Sequence, residues 1–147
     1  MSVGEYSYTE TTTSTSTDAN GAMSTSTSSN TYHFVVIVVM LATAFPPMSL
    51  APRGALSKLG RAMFGDGSTA TGDPRFDKVF RIRTTAPQAV PHVFRPQLIA
   101  ETLAGGLGAW SLSGQQLLAY QPGRLADPAL IPALAWPLVR VAGLLPR

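Results

Sequence analysis

Cysteine is absent from the 147-residue chain, which excludes a disulfide scaffold, a thiol redox centre, a cysteine nucleophile and a cysteine-type zinc site. Charge is scarce: 13% of residues are Asp, Glu, Lys or Arg, about half of the ~25% found in soluble domains. Lysine is nearly missing, with Lys58 and Lys78 beside nine arginines. Residues 1–32 hold no basic residue and no apolar stretch, so no secretory leader is expected. The expected location is cytoplasmic or membrane-associated.

What is present divides unevenly. The first 32 residues contain 17 serines and threonines and three acids, Glu5, Glu10 and Asp18. The remaining 115 residues carry all eleven bases against the five other acids, a net charge of +6. The overall +3 and the pI of about 9.7 therefore reflect few acids rather than many bases. A preference for Arg, Ala, Pro and Gly over Lys, Asn and Ile fits a GC-rich bacterial genome. The front part has too little apolar surface to build a core alone. The expected organisation is a Ser/Thr-rich hairpin arm and mobile loop over residues 1–30, then a single α+β domain over 31–147.

The strongest apolar run is Phe34–Phe45. Twelve residues of helix rise only ~18 Å against a ~30 Å hydrocarbon core, and Pro46-Pro47 block a C-terminal extension. Five consecutive β-branched residues, Val35 to Val39, favour a strand buried on both faces. The alternative is a single-pass membrane protein inserting residues 33–50.

Tyr6 and Tyr8 alternate with polar residues, giving a strand that ends near Thr12. The Asp18–Gly21 turn chemistry sits within the Ser/Thr tract, and a second arm resumes at Thr31 and runs to about Leu41. Pro46–Pro52 permits a short edge strand with Met48 and Leu50 on one face. Ala55–Phe64 has helical spacing, Gly65–Asp73 is a loop, and Arg75–Thr84 reads as a strand with Phe76, Phe80 and Ile82 inward. Proline positions predict helices over 87–94 and 96–104, stopped by Gly105-Gly106. Trp110–Leu112 and Leu117–Tyr120 read as a hairpin turning at Gly114, and Asp127-Pro128 starts a last helix. Leu130, Leu134, Leu138 and Val141 form its apolar stripe. The fold class predicted is α+β: a mainly antiparallel sheet of five or six strands with helices on one face, and a long Ser/Thr-rich hairpin loop near the N-terminus.

The spacing Phe76-Asp77-Lys78-x-Phe80-Arg81-Ile82, then Trp110-x-Leu112-x-Gly114 and Leu117-Leu118-x-Tyr120-x-Pro122-Gly123-Arg124-Leu125, resembles a family of uncharacterised actinobacterial proteins. Tyr6-x-Tyr8-Thr9, His33-x-Val35-Val36, Pro46-x-x-x-Leu50 and Pro52-x-Gly54 extend the likeness over most of residues 5–145. Members of that family commonly carry membrane segments upstream, so the chain resembles the soluble part of such a protein, or a truncated copy. The resemblance implies no activity, substrate or catalytic residue.

Catalytic chemistry finds no pattern. His33 and His92 are the only histidines, no G-x-S-x-G elbow occurs, and no metal-ligand spacing is present. Gly105–Ala109 follows a helix and precedes a strand, the reverse of a phosphate cradle. No enzyme activity, catalytic residue, metal, cofactor or small-molecule ligand is expected. Trp110, Trp136 and Tyr120 are expected in core and hairpin packing. The candidate anion contacts are Arg81 and Arg83, which alternation places on one outer sheet face, together with Arg95. Acidic lipid or nucleic acid could meet that face, although the absence of interleaved aromatics argues against nucleic acid. The leading expectation is a non-catalytic interaction or structural module of an envelope-associated bacterial protein, with a membrane or protein partner. Low charge with a high apolar content leaves room for a surface that expects such a partner.

Overall fold

Val35, Ile37 and Val39 point to the same side of the longest strand, and much of the fold serves to cover them. In the computed structural model, residues 1–53, 68–105 and 107–147 are described. The helix expected over Ala55–Phe64, the first part of the loop after it, and Gly106 lie outside these residues.

The elements run in the order β1 (Ser2–Thr17), β2 (Met23–Pro52), α1 (Pro74–Val79), β3 (Phe80–Thr84), a 3-10 turn (Pro87–Ala89), α2 (Val90–Val93), α3 (Pro96–Leu103), β4 (Trp110–Pro122), a second 3-10 turn (Pro128–Leu130) and α4 (Ile131–Leu144). The fold is α+β, with a four-stranded antiparallel sheet. β2 is the spine: β1 pairs along Met23–Val38 and β3 along Met48–Pro52, while β4 pairs along Phe34–Leu50. Since Met48–Leu50 pairs with both β3 and β4, β1 and β3 share one side of β2 and β4 takes the other.

One sheet face is covered by the described helices. Ile37, Met48, Leu50, Ile82, Leu112 and Leu117 meet Phe76, Val90, Leu98, Leu138 and Val141 in a single core. Phe76, Phe80, Phe94 and Trp110 form its aromatic centre, with Phe94 stacked on Trp110 at 5.5 Å. Thr102, fully buried, donates its hydroxyl to the Leu98 carbonyl at 2.7 Å, which satisfies a polar group inside the core.

The N-terminal hairpin is Ser/Thr-rich, as expected, and its strands continue through the tract itself. Pairing runs from Ser2↔Val38 to Thr17↔Met23, around a turn in which Asp18 Oδ1 accepts from the Asn20 and Ala22 N–H groups. Gly21 supplies the positive φ of 79° that this turn requires. Cross-strand hydroxyl pairs join the arms, including Thr9–Thr31 at 2.9 Å, Ser14–Ser26 at 2.8 Å and Ser16–Ser24 at 2.8 Å.

Several element assignments change. The predicted Trp110–Tyr120 hairpin is one strand. Leu112 and Leu117 differ by an odd number, which alternation assigns to opposite faces, yet both are fully buried in the same core. The reconciling feature is Gly114, with φ 56°, opposite Phe45, where the β2–β4 register shifts twice. Pro46 and Pro47, which cannot donate to a ladder, fall within the second shift. The expected edge strand at Pro46–Pro52 is therefore the centre of the sheet. Two pairs of expected strands fuse, leaving four among the described residues. The Phe34–Phe45 segment is buried on one face only: Val35 and Ile37 are buried, while Phe34, Val36 and Val38 are half-buried. The expected strand 75–84 begins as helix α1 because Asp73 caps Pro74–Val79, accepting from the Arg75 and Phe76 N–H groups. Leu130 leaves the predicted stripe of the last helix and is exposed.

Candidate functional site

The side of the sheet opposite the core begins with two tyrosines of β1. Strand alternation puts Tyr6 and Tyr8 on this outer face, and their register partners Phe34 and Tyr32 share it. Val36, Val38 and Met40 continue it on β2, with Tyr120 and Leu118 opposite Val36 and Val38 on β4. Neighbouring rings stand against each other: Tyr8–Tyr32 at 5.0 Å, Tyr8–Phe34 at 5.9 Å, both stacked, and Phe34–Tyr120 edge-on at 5.8 Å. Such pairs hold the stripe rigid at little entropic cost. Tyr6 is 53% exposed, Tyr32 40% and Met40 57%. The stripe contains no charged side chain. Beyond it, every residue from Thr11 to Asn30 is exposed, so the hydroxyl-bearing ribbon extends past the body.

The two sheet arginines lie on the same outer side, further along. β3 places Arg81 and Arg83 together as alternation requires, opposite Ala51 and Ser49 of β2. They do not sit in solvent as an open charged face: Arg83 is only 7% exposed and Arg81 is half-buried. The Nε atom of each is buried with no hydrogen-bond partner. Ser49, 8% exposed, lies between Arg83 and Ser111 in register. Arg95 is not brought to them. It is the exposed N-cap residue of α3, next to Phe94, whose ring stacks on Trp110 across the core face.

No family model, curated protein or solved structure matches the chain.

The histidines occupy separate places. His33 is half-buried on β2, where its Nε2 lies 2.9 Å from Arg124 Nη2 and therefore accepts. Its carbonyl accepts from the Gly123 N–H, and Glu5 accepts from the Leu125 N–H, so this group ties the end of β4 back to the β1–β2 hairpin. His92 is exposed in α2. Among the described residues no group of three or more His, Cys, Asp or Glu could hold a metal ion, and no helix is long and apolar enough to cross a membrane. Asp77 serves its own loop, accepting from the Thr71 hydroxyl at 2.9 Å and from the Thr71 and Gly72 N–H groups. The Arg75 side chain, together with the Arg75 and Phe76 N–H groups, holds the Asp73 carboxyl below its ordinary value despite opposing desolvation. Arg140 Nη2 donates to Glu101 Oε1 at 2.8 Å, which raises the Arg140 pKa and joins α3 to α4.

The aromatic stripe is not among the functional residues expected from the sequence. Its signal was the shared parity of Tyr6-x-Tyr8 and Tyr32-x-Phe34 once the two strands are aligned. Trp110 is in the core as expected, Tyr120 belongs to the outer stripe, and Trp136 is 65% exposed on α4.

Proposed function

We propose that the chain is a non-catalytic interaction module of an envelope-associated bacterial protein, of the actinobacterial kind its motifs resemble, and that a partner protein docks on the outer face of its sheet. The observation that carries this reading is the stripe from Tyr6 to Tyr120, apolar and aromatic, with Tyr6, Tyr32 and Met40 exposed while the described helices fill the opposite face. Tyrosine-rich, charge-poor surface of this kind is what the centres of protein interfaces contain. A photo-crosslinking residue at Met40 in the full-length protein, expressed in its host, tests it. One discrete crosslinked protein, absent when the probe sits at Val139 on α4, supports the reading. Crosslinks to lipid alone, or recovery of the protein only in detergent, overturn it and favour the insertion of residues 33–50.

A second reading, anion binding through the arginine pair, is favoured by the buried and unpartnered Nε atoms of Arg81 and Arg83. A buried N–H without a hydrogen-bond partner is costly, so an oxyanion that accepts from these Nε atoms removes a penalty. Retention on acidic vesicles at low salt, lost in the Arg81→Gln/Arg83→Gln variant, supports this reading. Equal retention of both proteins overturns it.

A further inference from the structure

β1 offers a second open feature beside the stripe, its outer edge. Among the described residues, the strand from Ser2 to Thr17 pairs on one side only, with β2, in unbroken register. Natural sheets guard such edges with charged side chains, Pro, bulges or very short strands. This edge is sixteen residues long, with no Pro, no Lys or Arg and no register shift, and its only charges are Glu5 and Glu10.

Resting on the interaction-module reading above, we infer that the partner which fits this side of the sheet is a second copy of the chain, added antiparallel to β1 about a twofold axis at Ser7. Three features fit a second copy and select that register. Both apolar outer faces stay on one side of a continuous sheet only when paired residues have the same parity, which the axis at Ser7 satisfies. Tyr6 of each copy then lies opposite Tyr8 of the other, so the stack of Tyr8 on Tyr32 and Phe34 continues across the junction. The acids avoid each other: Glu5 faces the other copy's Thr9, and Glu10 faces its Gly4. An axis half a residue further along sets Glu5 against Glu10 and turns the two stripes to opposite sides. Pairing extends over residues 2–12, and each hydroxyl-rich ribbon projects past the other copy's N-terminus.

Sedimentation of the native chain tests this, with a weight-average mass rising toward twice 15.5 kDa as concentration increases. Ser7 is exposed and meets its own counterpart at the axis. Ser7→Lys and Ser7→Asp should each sediment as a monomer, because like charges stand directly opposite, and an equimolar mixture should restore the dimer. Since the chain has no native thiol, Ser7→Cys should oxidise to a covalent dimer, whereas Thr15→Cys, outside the paired span, should not. A native chain monomeric throughout, with Ser7→Cys and Thr15→Cys equally poor at crosslinking, overturns the inference. So does a dimer unaffected by Ser7→Lys. Failure here with a discrete foreign protein at Met40 leaves the docking face intact; a Ser7 dimer with no crosslink at Met40 does the reverse.

Discussion

Gly114 holds a backbone conformation on which the sheet depends. Its φ of 56° lets β4 change phase, so that Leu112 and Leu117 both reach the core. A Cβ at this position meets nothing within 4 Å, so the cost of Gly114→Ala is conformational, about 1–2 kcal/mol for a left-handed non-glycine residue. Chemical denaturation should show that loss with an unchanged slope. A neutral substitution contradicts the phase-change role. Arg83 predicts the opposite sign. A buried guanidinium Nε without a partner costs stability, so Arg83→Met should raise the unfolding free energy by about 1–3 kcal/mol in anion-free buffer. A clear drop indicates that the guanidinium has a stabilising partner. Asp73 sets the acid response of α1. Its carboxyl is lowered in the folded chain, so its contribution is complete above the unfolded carboxylate value and is lost as pH falls through the folded one. Asp73→Asn keeps an acceptor at the cap and should flatten the acid side of a stability–pH curve. An unchanged curve rules out the Arg75 and cap contacts as its cause.

At the level of elements, the β1–β2 hairpin combines two kinds of strand. Near the body, Val3 packs against the core and Tyr8 is fixed between rings. Beyond Thr11 the arms are exposed and, among the described residues, pair with each other through hydroxyl pairs and the backbone ladder. Removing residues 11–29 and closing the arms with Asn-Gly should therefore leave the thermal midpoint of the body within a few degrees. A large drop would mean that the ribbon supports the core. These elements also mark what was readable beforehand. Asp127-Pro128 was recognised as a helix start, and the structure shows Asp127 accepting from the Ala129 N–H. The same pair at Asp73-Pro74 is masked in the sequence because Phe76, Phe80 and Ile82 also fit a strand with a period of two. Leu112 and Leu117 suggested a hairpin because hydropathy records phase and not the glycine that changes it. The Ser/Thr tract carries no apolar period, so its pairing, made by hydroxyls and backbone, left no hydropathy signal. The outer face of Arg81 and Arg83 was legible from alternation, but their burial depends on neighbours distant in sequence.

Among the described residues the sheet has one face filled by helices and an outer face that is partly exposed along the aromatic stripe and buried at Ser49 and Arg83. Helices from the second half of the chain cover the inner sheet face, and the excess apolar content noted in the composition reappears as the stripe on the outer one. Few charges, a tyrosine-bearing face and a sixteen-residue edge that no other described strand pairs are the features behind the proposal that the sheet continues into a partner. Trp136 and Val139, exposed on α4, form the competing apolar surface on the opposite side. Backbone amide exchange of the native chain, followed at low and at high protein concentration, separates the two directly. Amides from Gly4 to Thr9 should slow as concentration rises, while those of α4 keep their rates. Concentration-dependent protection confined to α4, or none in β1, contradicts self-association of the chain through the β1 edge.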